Sequence, residues 1–255
     1  MNGLTLGSLF DGIGGFPLAA KRCGIRTLWA SEIEPNCIAI TKRHFPEMQH
    51  LGSITEIDGG KIPPVNIISF GSPCQDLSVA GRQSGLDGER SGLFREAVRI
   101  IYEMWEATNG IYPAFIIWEN VPGVLRTKDN AFGCFLGELC GAKFPLEVPS
   151  RRWPSAGLVA GPKRRVAWRT LDAQFFGVPQ RRKRVFVIAS SRQGFNPAKV
   201  LFERPSLRGD SCESAEKREA VASFAEGGFG TFRQTDDQAG TLKASGGIIG
   251  GGQRL

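Results

Sequence analysis

The chain has 255 residues, 41% hydrophobic and 22% charged, enough for one large globular domain or one domain with a small appendage. No apolar run approaches the ~20 residues of a membrane span, and no basic segment precedes the first apolar stretch. Neither a membrane helix nor a cleaved signal peptide is therefore expected, and the predicted location is cytoplasmic. The net charge of +7 is uneven: residues 141–208 hold 15 Lys or Arg against 3 Asp or Glu, a surplus of 12, which leaves −5 for the remainder. A basic segment beside a mildly acidic body suggests a surface that faces nucleic acid, with a merely solvated basic face as the plainer alternative.

In chain order, Leu4–Phe10 reads as a strand, followed by the glycine-rich turn Phe10-Asp11-Gly12-Ile13-Gly14-Gly15-Phe16 and a helix over Phe16–Cys23. Glycines at such a junction let the backbone turn tightly and approach a ligand closely. A second strand, Thr27–Ala30, leads to Glu32, whose spacing from the turn suits an acceptor for ribose hydroxyls. No Gly-Lys-Ser/Thr follows, so the turn is not a phosphate-cradling loop. Pro35 stands where a first-turn proline is tolerated, ahead of a helix over Asn36–His44.

The apolar strand Val65–Phe70 runs into Gly71-Ser72-Pro73-Cys74-Gln75, which places a cysteine on a proline-restricted loop at the sheet edge. A thiolate is the strongest side-chain nucleophile when its surroundings lower its pKa. A helix follows over Leu93–Trp105, with apolar residues close to a 3.6 period. The strand Phe115–Glu119 then ends in Glu119-Asn120-Val121, and a carboxylate ending a buried strand is costly without partners or a task. Finally Gln180-Arg181-Arg182-Lys183-Arg184 enters the strand Arg184–Ala189, with Arg182 and Arg184 on one side of an extended segment. Strands alternating with helices predict an α/β fold, a parallel sheet covered on both faces. Beyond Ser190 the sequence is polar and irregular, and Gly227–Leu255 reads as a flexible tail. Six cysteines without a CxxC pair and two histidines leave a zinc site few ligands, and no metal is expected.

Gly-Ser-Pro-Cys-Gln, Glu-Asn-Val and Gln-x-Arg-x-Arg, in that order after a Phe-x-Gly-x-Gly turn, resemble the cytosine carbon-5 DNA methyltransferase family of bacterial or phage type. The resemblance covers about Leu4 to Ser190. It implies a Rossmann-like S-adenosylmethionine-dependent methyltransferase sheet over 1–190. A small, irregular, partial target-recognition region over 191–255 would follow. By the same resemblance, the Cys74 thiolate adds to carbon 6 of a flipped-out cytosine in duplex DNA, so that carbon 5 takes a methyl group from S-adenosylmethionine. Glu119 would engage the ring nitrogen and exocyclic amine, Arg184 would hold this glutamate and reach the base carbonyl, and Arg182 would support them. Asn120 would brace the loop of Cys74 through its amide.

Phe10, Gly12, Ile13 and Gly14 are similar to the turn that wraps the cofactor, Glu32 to its ribose acceptor and Ile33 to the residue on the adenine face. Ser53 and Ile54 fall at the adenine edge, and Pro73 and Leu93 match positions at the methyl-donor end. The family usually has Asp where this sequence has Ser53, and a neutral hydroxyl accepts the adenine amine more weakly than a carboxylate. By the same resemblance the family's last motifs are missing at the C-terminal end, so a complementing C-terminal polypeptide is one expected partner; the chain is otherwise expected to be a monomer. The rival expectations are RNA cytosine methylation, and a truncated fragment that binds DNA or cofactor without turnover.

Overall fold

A computed structural model describes residues 3–72, 92–177 and 179–202 and the backbone of two short strands, 240–243 and 247–248. The protein forms two compact units, Met1–Asn120 and Val121–Leu255.

The first unit is the predicted parallel sheet. Strands β1 (Thr5–Leu9), β2 (Arg26–Ser31), β3 (Gln49–His50), β4 (Ile67–Phe70) and β5 (Phe115–Asn120) lie in the order β5-β4-β1-β2-β3, with every neighbouring pair parallel. Parallel neighbours need crossovers, here through helices α1 (Gly15–Arg22), α2 (Pro35–His44) and α3 (Leu93–Ala107). The first two helices begin one residue before the sequence suggests, and α3 runs two residues further. In the strands, alternate residues point to opposite faces. Leu6 and Ile67 on one face pack with Ala20 of α1, together with Phe16, Ile25, Phe115 and Ile117. On the other face Gly7 stands opposite the fully buried Trp29. Helix α3 is amphipathic, burying Phe94, Ala97, Val98, Ile100, Ile101 and Met104.

The second unit departs from the prediction. The strand expected at Arg184–Ala189 is β8 (Lys183–Ser190), but its pairing with β7 (Arg165–Asp172) is antiparallel. β7 in turn pairs antiparallel with β6 (Ala156–Ala160). The physical reason is connection length: short loops join antiparallel neighbours, whereas parallel ones need a crossover of a dozen or more residues. Helix α4 (Ala131–Cys140) precedes these strands and α5 (Ala198–Leu201) follows them. Phe132, Trp153 and Trp168 meet edge to face with ring centroids 5.4 to 5.7 Å apart, each pair near perpendicular. The indole nitrogens of Trp153 and Trp168 donate to Asn130 Oδ1 and the Pro154 carbonyl, which offsets the cost of burying both polar groups. Within the stretch expected as a bare tail, β9 (Gly240–Lys243) pairs parallel with β6, and β10 (Gly247–Ile248) pairs antiparallel with β9. Among the described residues no helix is long and apolar enough to cross a membrane.

Candidate active site

Parallel strands of the first unit all end at one edge, where the loops following β1 and β2 and the last residues of β5 lie. After β1 the backbone is left-handed at three positions, Phe10 (φ 52°), Gly12 (φ 56°) and Gly14 (φ 86°). Glycine adopts this freely, whereas a non-glycine such as Phe10 does so only under constraint from its surroundings. Nothing lies within 4 Å of where a Cβ at Gly12 would sit, so the turn presents open backbone. Glu32 closes the turn from the end of β2: one carboxylate oxygen accepts the Gly12 N–H at 2.7 Å, and the other accepts those of Ile33 and Glu34 at 2.8 and 2.9 Å. Ile13 and Ile33 flank this arrangement, 66% and 72% exposed. Large apolar side chains held in water beside an anchored carboxylate fit the faces of a nucleoside.

The loop after β3 carries Ser53 and Ile54. Ser53 caps a single 3-10 turn, Ile54–Glu56, and its hydroxyl lies 2.8 Å from that of Thr55. Ile54 is buried, Ser53 is half-buried, and Thr55 and Glu56 are exposed. Leu93 opens α3 and is half-buried.

Glu119, near the end of β5, is half-buried, and a Cβ at Gly71 would come within 3.4 Å of its carboxylate. The next residue, Asn120, is buried and donates its amide to the Ser72 carbonyl at 3.0 Å, while Trp118 Nε1 donates to Ser72 Oγ at 3.2 Å. The end of β5 thus pins the backbone two residues before Cys74. Cys74 and Pro73 themselves lie outside the described residues.

Arg182 and Arg184 belong to the second unit. Buried Asp172 at the end of β7 accepts the Arg182 backbone N–H at 3.1 Å and caps the 3-10 turn Ala173–Phe176. Arg184, half-buried in β8, turns one guanidinium nitrogen onto the Lys183 carbonyl at 2.8 Å.

One residue of the turn drew no role from sequence reasoning. Asp11 is 7% exposed; its Oδ1 accepts the Ser8 hydroxyl at 2.6 Å, and its Oδ2 has no hydrogen-bond partner. A carboxylate amid otherwise apolar and glycine residues was the available signal. Burial lifts its pKa to about 6, against the lowering bond from Ser8 and with the Glu32 charge adding to the rise. Between its unfolded value near 4 and about 6, the folded protein keeps this proton and the unfolded one has lost it. Stability therefore falls as pH rises through that window, by roughly 3 kcal/mol for a shift of about two units. Urea unfolding of wild type and Asp11→Asn from pH 4 to 7 should show this extra slope in the wild type alone. Parallel profiles would mean that Asp11 is not buried as a carboxyl.

A parallel sheet with a glycine turn after its first strand and a carboxylate after its second has the build of a nucleoside-cofactor protein. The chain matches the C-5 cytosine-specific DNA methylase family over residues 4–226 and belongs to that family. It is 37% identical, over 89% of its own length, to a protein of Escherichia phage P1 named DNA N-6-adenine-methyltransferase, and covers 34% of that protein. It is 34% identical, over 77% of its length, to the type II methyltransferase M2.BsuMI of Bacillus subtilis (strain 168), of which it covers 44%. It thus spans less than half the length of these two relatives. The solved structure of S. pombe Dnmt2 methyltransferase shares the fold, with a TM-score of 0.55 and 18% identity over 76% of this chain and 53% of that one.

Proposed function

We propose that this protein methylates carbon 5 of cytosine in duplex DNA, with S-adenosylmethionine as donor and Cys74 as nucleophile. The observation that carries the reading is the end of β5. There Glu119 stands beside Gly71 while Asn120 and Trp118 hold Ser72, two residues ahead of Cys74.

Carbon 5 of cytosine is a poor nucleophile and needs activation. The Cys74 thiolate adds to carbon 6, placing electron density on carbon 5. Glu119 offsets the charge that this addition puts on the ring, by holding a proton at the ring nitrogen and accepting from the exocyclic amine. Arg184 is assigned to the base carbonyl, with Arg182 supporting it. After methylation, loss of the carbon-5 proton expels the thiolate and restores the ring. None of these groups can reach a base stacked in a duplex, so the target nucleotide is flipped out.

S-adenosylmethionine supplies the electrophilic methyl group. Here Phe10, Gly12, Ile13 and Gly14 would wrap it, Glu32 and Ile33 would take ribose and adenine, Ser53 the adenine amine, and Pro73 and Leu93 the donor end. The open backbone at Gly12 and the anchored Glu32 carboxylate fit that group. Ser53→Asp should tighten binding of S-adenosylhomocysteine about tenfold by calorimetry, because a charged acceptor replaces a neutral one. Unchanged affinity would remove Ser53 from the adenine edge.

The phage P1 relative is named for transfer to the adenine amino group. An exocyclic amine is itself the nucleophile in such a transfer and leaves a cysteine loop idle, so the Pro73-Cys74 sequence favours cytosine. The test is a pool of duplex DNA carrying 5-fluorocytosine in varied contexts, given with S-adenosylmethionine. Fluorine at carbon 5 blocks the final elimination and should trap a covalent protein–DNA adduct. Trapping on structured RNA instead would move the substrate class, and no adduct on either polymer would overturn the catalytic reading.

A further inference from the structure

Glu96, Arg99 and Glu103 line one face of α3 at i, i+3 and i+7, a pattern that in sequence reads as a solvated ion-pair row. The pairs form, with Arg99 Nη2 2.7 Å from Glu96 and Nη1 2.8 Å from Glu103. The guanidinium does more than pair. Its Nη1 also donates to the Ile57 carbonyl at 2.8 Å and Nη2 to the Ile54 carbonyl at 3.3 Å. Glu103 meanwhile accepts the Gly59 N–H at 2.7 Å. Gly59 lies so close to α3 that a Cβ there would collide with the Ile100 carbonyl.

These bonds grip the loop that bears Ser53 from the α3 side, while buried Ile54 and Ile57 root it in the core. Within the loop the Glu56 N–H meets the Ser53 carbonyl at 3.1 Å, the Ile57 N–H the Ile54 carbonyl at 3.4 Å, the Gly60 N–H Asp58 Oδ1 at 3.0 Å, and Ser53 Oγ lies 2.8 Å from the Thr55 hydroxyl. The Ser31 hydroxyl of β2 donates to the Gly52 carbonyl at 2.8 Å. A three-residue 3-10 turn is a short element whose orientation depends on what its carbonyls are tied to. The planar guanidinium fork spans the two carbonyls at either end of the turn and ties it to α3.

We propose that Arg99 is a positioning residue for the adenine of the cofactor: braced by Glu96 and Glu103, it sets the Gly52–Gly60 loop so that Ser53 meets the adenine edge. Arg99 acts through the loop and touches no ligand. The inference rests on the cofactor reading above. It also gives α3 a second duty, since Leu93 at its start is assigned to the donor end of the same ligand.

The experiment is calorimetry of the 255-residue chain with S-adenosylhomocysteine and with S-inosylhomocysteine, whose base carries a carbonyl in place of the amine. Melting temperatures are taken in parallel for wild type, Arg99→Ala and Arg99→Lys. Wild type should prefer the adenosyl compound. Arg99→Lys keeps pairing with both glutamates but cannot span both carbonyls. It should melt close to wild type, bind the adenosyl compound about tenfold more weakly, and lose most of the preference. Arg99→Ala should lose both stability and preference. Wild-type affinity and preference in Arg99→Lys would overturn the positioning role and leave a plain ion-pair row. Failure of wild type to bind either compound would overturn the cofactor reading, and this inference with it.

Discussion

Cys74→Ser is expected to abolish the covalent adduct with 5-fluorocytosine DNA and to lower methyl transfer by at least about three orders of magnitude. Serine is nearly isosteric with cysteine, so the loop need not change. What changes is the nucleophile: a thiol is partly ionised near neutral pH, and a hydroxyl without an adjacent base is not. The sequence has only two histidines, His44 on α2 and His50 on β3, and neither belongs to the motifs that carry the resemblance. The anchoring of Ser72 by Asn120 and Trp118 does not involve the sulfur, so affinity for S-adenosylhomocysteine should stay within about twofold of wild type. This split between intact binding and lost chemistry separates a nucleophile from a structural cysteine. Transfer within about tenfold of wild type would exclude the covalent route.

How much of this was legible in the sequence depends on which unit is considered. In the first, strands are short β-branched or aromatic runs between turn residues, and the helices have a polar face, so periodicity finds them. In the second, α4 has no such face: nine of its ten residues are buried, and two of those, Gly133 and Gly137, are glycines. A helix apolar all round shows no 3.6 period to read. β6 was equally silent, because Ala156 and Gly157 carry little strand propensity. Gly157 is there because the Trp168 ring occupies the space a Cβ would need, a reason that exists only in three dimensions.

The candidate site divides the same way. The Gly12–Glu32 bond joins residues 20 positions apart, a spacing that the sequence displays. The grip of Arg99 on Ile54 and Ile57 spans more than 40 residues and uses backbone carbonyls, which no side-chain pattern announces. Asp11 was visible as a residue, but its burial was not.

Gly7→Ala is expected to destabilise the protein by about 3–5 kcal/mol, a large share of the roughly 5–15 kcal/mol that holds a domain together. An added Cβ at Gly7 would come within 2.1 to 2.5 Å of three carbons of the six-membered ring of Trp29. That ring is fully buried and its Nε1 donates to the Pro63 carbonyl at 2.9 Å, so moving it both breaks a hydrogen bond and overpacks the core. Gly7 also sits at the shift in register between β1 and β2, where Leu6 pairs with Thr27 and Gly7 with Trp29. Those two strands carry the Gly12 N–H and the Glu32 carboxylate at their ends. Prising them apart should therefore weaken cofactor binding as well as the fold. Trp29→Leu alone should cost about 3 kcal/mol through lost packing. In the double variant Gly7→Ala with Trp29→Leu, the methyl has room, and the total cost should fall well short of the sum. Urea unfolding of the four proteins measures this directly. Additive costs would mean that the ring of Trp29 is not what keeps position 7 a glycine.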